Sequence, residues 1–114
     1  MDLSGDGPPI AAEWQDAANN VCGVLRGGHP PYAAGRFARA GWRVRASSWD
    51  GYEVETSWCR VELEPLGDRD GVLLNGVADP MRHDELAALL RAFGLRFGLE
   101  LYDESDALVR ELTG

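Results

Sequence analysis

The chain has 114 residues, enough for one hydrophobic core and too few for two, and its 45% apolar and 26% charged residues are those of an ordinary globular domain. All 11 basic residues are Arg, which excludes Schiff-base and P-loop lysine chemistry. The net charge of −8 arises in residues 50–106, where fourteen Asp or Glu face five Arg, a field that repels nucleic acid and anionic membrane and attracts basic protein surfaces.

Residues 1–9 are polar and contain Gly5, Gly7, Pro8 and Pro9, which predicts a disordered or weakly docked arm ahead of a single domain over 10–114. The N-terminus has no basic n-region followed by an apolar h-region, and no apolar run approaches the ~18 residues of a membrane span, so the expected location is the cytoplasm. From Ile10, the residues Trp14, Ala17, Ala18, Val21, Cys22 and Leu25 recur at helical spacing and predict a helix with one buried face, ending at Gly27-Gly28. His29-Pro30-Pro31 enforces an extended link. A short helix over 32–40 then buries Tyr32, Phe37 and Ala40 and stops at Gly41.

After Gly41 the period becomes two. Trp42, Val44 and Ala46 alternate with Arg43, Arg45 and Ser47, and Asp50-Gly51 reads as a two-residue hairpin turn that sets Trp49 opposite Tyr52 and Arg43 opposite Trp58. The returning strand runs over 52–64, with a parity change that a bulge near Ser57 would reconcile. A polar connection leads to Val72–Val77, whose almost continuous apolar run suits a central strand. Asp79-Pro80 starts a helix along the Leu86, Leu89, Leu90, Phe93 stripe, and Gly94 closes it. Phe97, Leu99 and Leu101 form a further strand; Ala107–Leu112 is read as a final strand, with a short helix capped by Ser105 as the alternative. The resulting class is α+β, an antiparallel sheet of about five strands with helices packed on one face, in the order α-α-β-β-β-α-β-β.

Candidate chemistry is sparse. His29 and His83 are the only histidines and stand in no metal-ligand spacing, and Cys22 and Cys59 form no C-x-x-C pair and read as reduced, buried thiols. No Gly-rich phosphate loop or nucleophile elbow is present, so the expectation is a protein without catalytic activity, metal or cofactor. Trp42, Trp49, Tyr52 and Trp58 either fill the core and lock the hairpin or leave Trp49 and Tyr52 as exposed anchors at its tip. Glu53, Glu55, Glu62, Glu64, Asp68 and Asp70 either solvate a sheet face or steer a basic partner toward those anchors. Asp103, Glu104 and Asp106 make a second acidic cluster, and Arg36, Arg39, Arg43 and Arg45 are expected to pair internally with the hairpin glutamates.

Taken as composition and element order over residues 10–112, with the segments Ala40-Gly41-Trp42-Arg43-Val44 and Leu101-Tyr102-Asp103-Glu104, the chain resembles the cytosolic immunity proteins of bacterial toxin systems, particularly actinobacterial ones. The resemblance implies a stoichiometric inhibitor, monomeric or homodimeric, that occludes a basic toxin or enzyme domain. It carries over no site residue. Two other classes fit the same outline. A secretion-chaperone-like dimer would show an exposed apolar patch, and a regulatory module for small molecules would show a pocket lined by Trp14, Trp42 and Phe93.

Overall fold

The computed structural model describes residues 7–47, 50–67 and 70–114. Residues 21–25 depart most from the sequence pattern: Val21, Gly23 and Leu25 are buried while Cys22 and Val24 are half-buried, an alternation of period two. The helix expected across Ile10–Leu25 is therefore a single turn, α1 (Ala12–Gln15), followed by a strand, β1 (Val21–Arg26). The same apolar positions satisfy both periods over this stretch. Gly23 inside a helix would cost about 1 kcal/mol relative to Ala, whereas β-branched Val21 and Val24 suit a strand paired on both sides.

Next come α2 (Pro30–Arg39), β2 (Arg43–Ala46), β3 (Tyr52–Thr56), β4 (Cys59–Pro65) and β5 (Gly71–Ala78). A 3-10 turn over Pro80–Arg82 leads into α3 (His83–Ala92), then β6 (Arg96–Tyr102) and β7 (Leu108–Thr113). The single strand expected over 52–64 is two strands, joined at Ser57-Trp58 so that Thr56 pairs with Cys59. The parity change marks a tight turn without glycine, not a bulge. Ala46 pairs with Tyr52 and Arg43 with Glu55, which leaves five residues between the strands around Asp50-Gly51 and moves the register from the expected one. The C-terminal segment is a strand, as its alternation predicts.

All seven strands join one antiparallel sheet in the order β2-β3-β4-β5-β1-β6-β7. It has two more strands than expected, and β1 lies between β5 and β6. Two crossovers follow: α2 carries the chain from β1 to β2, and α3 carries it from β5 over β1 to β6. The strands entering them run in opposite directions and the crossovers move in opposite directions along the sheet. The two reversals cancel, so a common handedness sets both helices on the same face.

That face holds the core. α2 buries Pro30, Ala33, Ala34 and Phe37, and α3 buries His83, Leu86, Ala87 and Leu90, each at i, i+3, i+4, i+7. Phe37 stands edge-on to Trp42 at 4.8 Å and to Phe93 at 5.0 Å, and Trp42 meets Trp58 at 5.5 Å, which ties the helices to the β2 to β4 end of the sheet. Tyr32 is 47% exposed and Ala40 is exposed, against expectation, because the stripe of α2 passes through Ala33 and Ala34. Asp79 accepts from the Met81 N–H at 2.9 Å, and Gly94 follows α3 at φ 78°, so the caps of the last helical segment are those its sequence announces.

Gly76, opposite Val21 and Val61, takes no larger residue: a Cβ there would run into the Arg60 carbonyl and lie 2.7 Å from the Val61 Cα. Gly76→Ala is expected to lower stability by about 1–3 kcal/mol, because strand backbones rather than flexible side chains would have to move. Chemical denaturation checks this; a midpoint unchanged from the parent would contradict the packing at the β4/β5/β1 junction.

Candidate functional site

Helices cover one face of the sheet, and the chain ahead of β1 covers part of the other. Ile10 is buried and its N–H donates to Glu55 Oε2 at 3.0 Å; the Ala11 N–H donates to the Ser57 carbonyl at 2.8 Å, and Arg60 donates to the Gln15 carbonyl at 3.0 Å. Beyond this strap one transverse row, Arg45–Glu53–Glu62–Asn75–Cys22–Glu100–Glu111, crosses all seven strands. It contains two directly opposed like-charged pairs, Glu53 with Glu62 and Glu100 with Glu111, a placement that costs stability.

The expected hairpin site does not form one surface. Tyr52 pairs with buried Leu63 and packs half-buried against the core, on the helix side, whereas Glu53, Glu55, Glu62 and Glu64 alternate to the opposite side. Glu55 is 4% exposed and holds the strap, so it offers no carboxylate to a partner. Of Arg36, Arg39, Arg43 and Arg45, Arg45 alone makes the expected pairing among the described residues, at 2.6 Å to Glu53 and 3.4 Å to Glu55, and it screens Glu53, while Arg36 donates to the Tyr32 hydroxyl. Glu62 is half-buried, Glu64 and Asp70 are exposed, and Asp70 lies 3.8 Å from His29 Nε2. Trp49 and Asp68 lie outside the described residues. Trp42 and Trp58 join the core cluster, the first of the two roles open to the aromatic set.

A cleft of about 940 Å³ opens elsewhere, between α1 with its link to β1, the start of α3, and the β6–β7 hairpin. Its frame is fixed by Asn20, whose amide donates to the Ala78 carbonyl and accepts from the Ala78 N–H, both at 2.8 Å, while the Tyr102 N–H donates to the Asn20 carbonyl at 2.9 Å. Trp14, Pro80 and Val109 give it apolar walls. Trp14 was the one member of the expected Trp14, Trp42, Phe93 pocket to reach a cleft; the other two are core.

The mouth is acidic. Asp103, Glu104 and Asp106 line it, and the Asp103 carboxylate accepts from Ser105 N–H, Ser105 Oγ and Ala107 N–H at 2.8, 2.7 and 3.1 Å, which holds its pKa below the usual carboxylate range. Asp106 adopts φ 65°, the left-handed turn position more often given to glycine. Arg110 also lines the cleft but is bound to Asp84 at 2.6 Å, so its charge is largely spent. One exposed apolar side chain, Val109 at 58%, stands on its wall, and Met81, next to Pro80 in the chain, is 90% exposed.

His83 also lines the cleft. It is 5% exposed, and its Nε2 makes no hydrogen bond among the described residues. Burial lowers its pKa and Arg110 pushes the same way; the Ala78 carbonyl, Asp79 and Asp84 oppose them without prevailing, which leaves a neutral imidazole at neutral pH. The sequence offered one signal for this position. His83 precedes Leu86, Ala87 and Leu90 at i, i+3, i+4 and i+7, so it occupies a core position of α3.

No family model matches the chain, and no curated protein and no solved structure matches it.

Two outcomes are expected of this arrangement. Glu55→Ala removes a charge-assisted bond to the strap and is expected to cost about 2 kcal/mol; limited proteolysis of the variant should cut within residues 7–18 earlier than the parent. For His83 the folded pKa lies below the unfolded value of about 6.5, so the unfolded chain takes up the proton first as pH falls. Its contribution is complete above that pH and is lost below it, down through the folded pKa. Melting temperatures taken between about pH 7.5 and 5.5 should decline in the parent and decline less in His83→Gln; equal slopes would remove His83 as the cause.

Proposed function

We propose that this protein is a non-catalytic binding module that docks on a basic protein partner and occludes it stoichiometrically, with the cleft beside the β6–β7 hairpin as the centre of the interface. One observation carries the reading: acidic side chains, the exposed apolar Val109 and a buried imidazole whose Nε2 has no hydrogen-bond partner among the described residues line a single opening. Exposed apolar residues rimmed by charge are how a docking surface differs from a solvated one. The resemblance to immunity proteins agrees with it, and so does the chemistry of Cys59, whose complete burial pushes its thiol up and keeps it from acting as a nucleophile. The glutamate row of the open sheet face extends the negative field toward the same partner. The volume of the cleft also fits a small ligand, which favours a regulatory small-molecule module as the second reading.

The test is binding kinetics of the full chain against a co-purified partner at several salt concentrations. Association should slow as salt rises, because steering by unlike charge gives up to ~10–10³-fold in rate at low ionic strength. Val109→Asp places a charge on the apolar wall and should raise the dissociation rate about 30-fold, the equivalent of about 2 kcal/mol. Association that ignores salt, or full affinity in Val109→Asp, would overturn the reading.

A further inference from the structure

The geometry points to the guanidinium of an arginine side chain, presented by the partner's polypeptide, as the group that enters the cleft. This inference rests on the protein-docking reading above and adds the chemistry of the contact. Three features of the cleft select that guest.

The first is charge. Asp103, Glu104 and Asp106 bring three carboxylates to the mouth, and the one cationic side chain lining it among the described residues, Arg110, is already engaged by Asp84 at 2.6 Å. The opening therefore favours a cation. The second is an aromatic wall. Trp14 lines the cleft and is only half-buried, and an indole is a side chain on which a planar guanidinium stacks better than a compact ammonium does. The third is the unmet hydrogen-bonding capacity of His83. Its neutral ring keeps one nitrogen lone pair, and a guest with five N–H donors satisfies both that acceptor and the mouth carboxylates, which a carboxylate or an apolar guest cannot. Pro80 and Val109 supply apolar wall for the methylene stem. Met81, next to Pro80 in the chain and 90% exposed, gives contact area beyond the opening that only a polypeptide, not a free cation, would use.

The experiment is NMR of the isotopically labelled full chain, read at the Trp14 indole N–H and the His83 ring protons, during titration with N-acetyl-arginine amide, its neutral isostere N-acetyl-citrulline amide, and agmatine. Arginine amide should shift both resonances saturably, and citrulline amide should bind at least about fivefold more weakly, the loss of roughly 1 kcal/mol of charge attraction. Glu104→Gln combined with Asp106→Asn should weaken the arginine titration by a similar factor; Asn tolerates the left-handed position, and unchanged core amide shifts show that the hairpin keeps its fold. Glu64→Gln, on the open sheet face, should leave the titration as it is.

Equal shifts from arginine and citrulline amides, or no shift at Trp14 and His83 with any probe, would overturn the inference while leaving the docking reading to its own kinetic test. Agmatine binding about a hundredfold more tightly than arginine amide would identify a site for a free organic cation, and would overturn the inference and the docking reading together.

Discussion

The insertion of β1 between β5 and β6 is the constraint on which the remaining structure depends. A strand that arrives early in the chain and pairs on both flanks can do so only if four later strands extend one way from it and two the other. The pairing is close: a Cβ on Gly23 would meet the Gly98 carbonyl and the Leu99 side chain, both at 2.6 Å, and Gly76 is fenced in on its other neighbour. These two glycines lie on the helix side, where bulkier residues at Leu74, Leu99 and Leu101 fill the space they leave. The backbone approach costs chain entropy at glycine and gains ladder bonds on both sides of three adjacent strands.

The cleft is a consequence of the same insertion. Because β1 is central, the chain leading into it must cross the far side of the sheet and enter between the ends of β5 and β6. Asn20 completes that entry by imitating a further ladder step with Ala78, and the strap behind it is held at Glu55 and Ser57. The segment from Trp14 to Asn20 is thereby laid against the start of α3 and the β6–β7 turn, three pieces of chain far apart in sequence. What lies between them is a recess and not a packed layer: the link contributes the small Ala17 and Ala18 there, and the larger Trp14, Tyr102 and Val109 line it without closing it. Burial of His83 follows from its place in the core stripe of α3.

Local signals in the sequence were legible where one residue type decides the backbone. Asp79-Pro80 capped a helical segment, Gly41 and Gly94 ended helices at positive φ, and Leu108–Thr113 formed the strand that its alternation implies. The antiparallel pairing across Asp50-Gly51, though not its register, the one-sided helices and the pairing of Arg45 with Glu53 were also legible. Residues 10–26 were not, since Trp14, Ala17, Ala18, Val21, Cys22 and Leu25 fit a helix as well as they fit a turn followed by a strand, and only pairing with β5 and β6 decides between them. The tight turn at Ser57-Trp58 carries none of the usual turn residues and was hidden for that reason. The candidate surface failed on parity: placing Tyr52 with Glu53 and Glu55 joined neighbours that a strand sends to opposite faces.

Electrostatics explains why the density of charge in the sequence pointed away from the cleft. The richest acidic stretch, in β3 and β4, is also where arginines were at hand, and there Arg45 binds Glu53 and Glu55 while Arg60 holds the strap. A charge inside such a network is already compensated and attracts a partner weakly, whereas a smaller cluster without compensation attracts it more. Asp103, Glu104 and Asp106 are that smaller cluster. Asp103 organises the turn through three hydrogen bonds and still keeps its charge, since N–H and O–H donors lower its pKa without neutralising it. One carboxylate thus shapes the hairpin and contributes to the field at the mouth, and the field outside the surface is set by which acids lack an arginine rather than by how many there are.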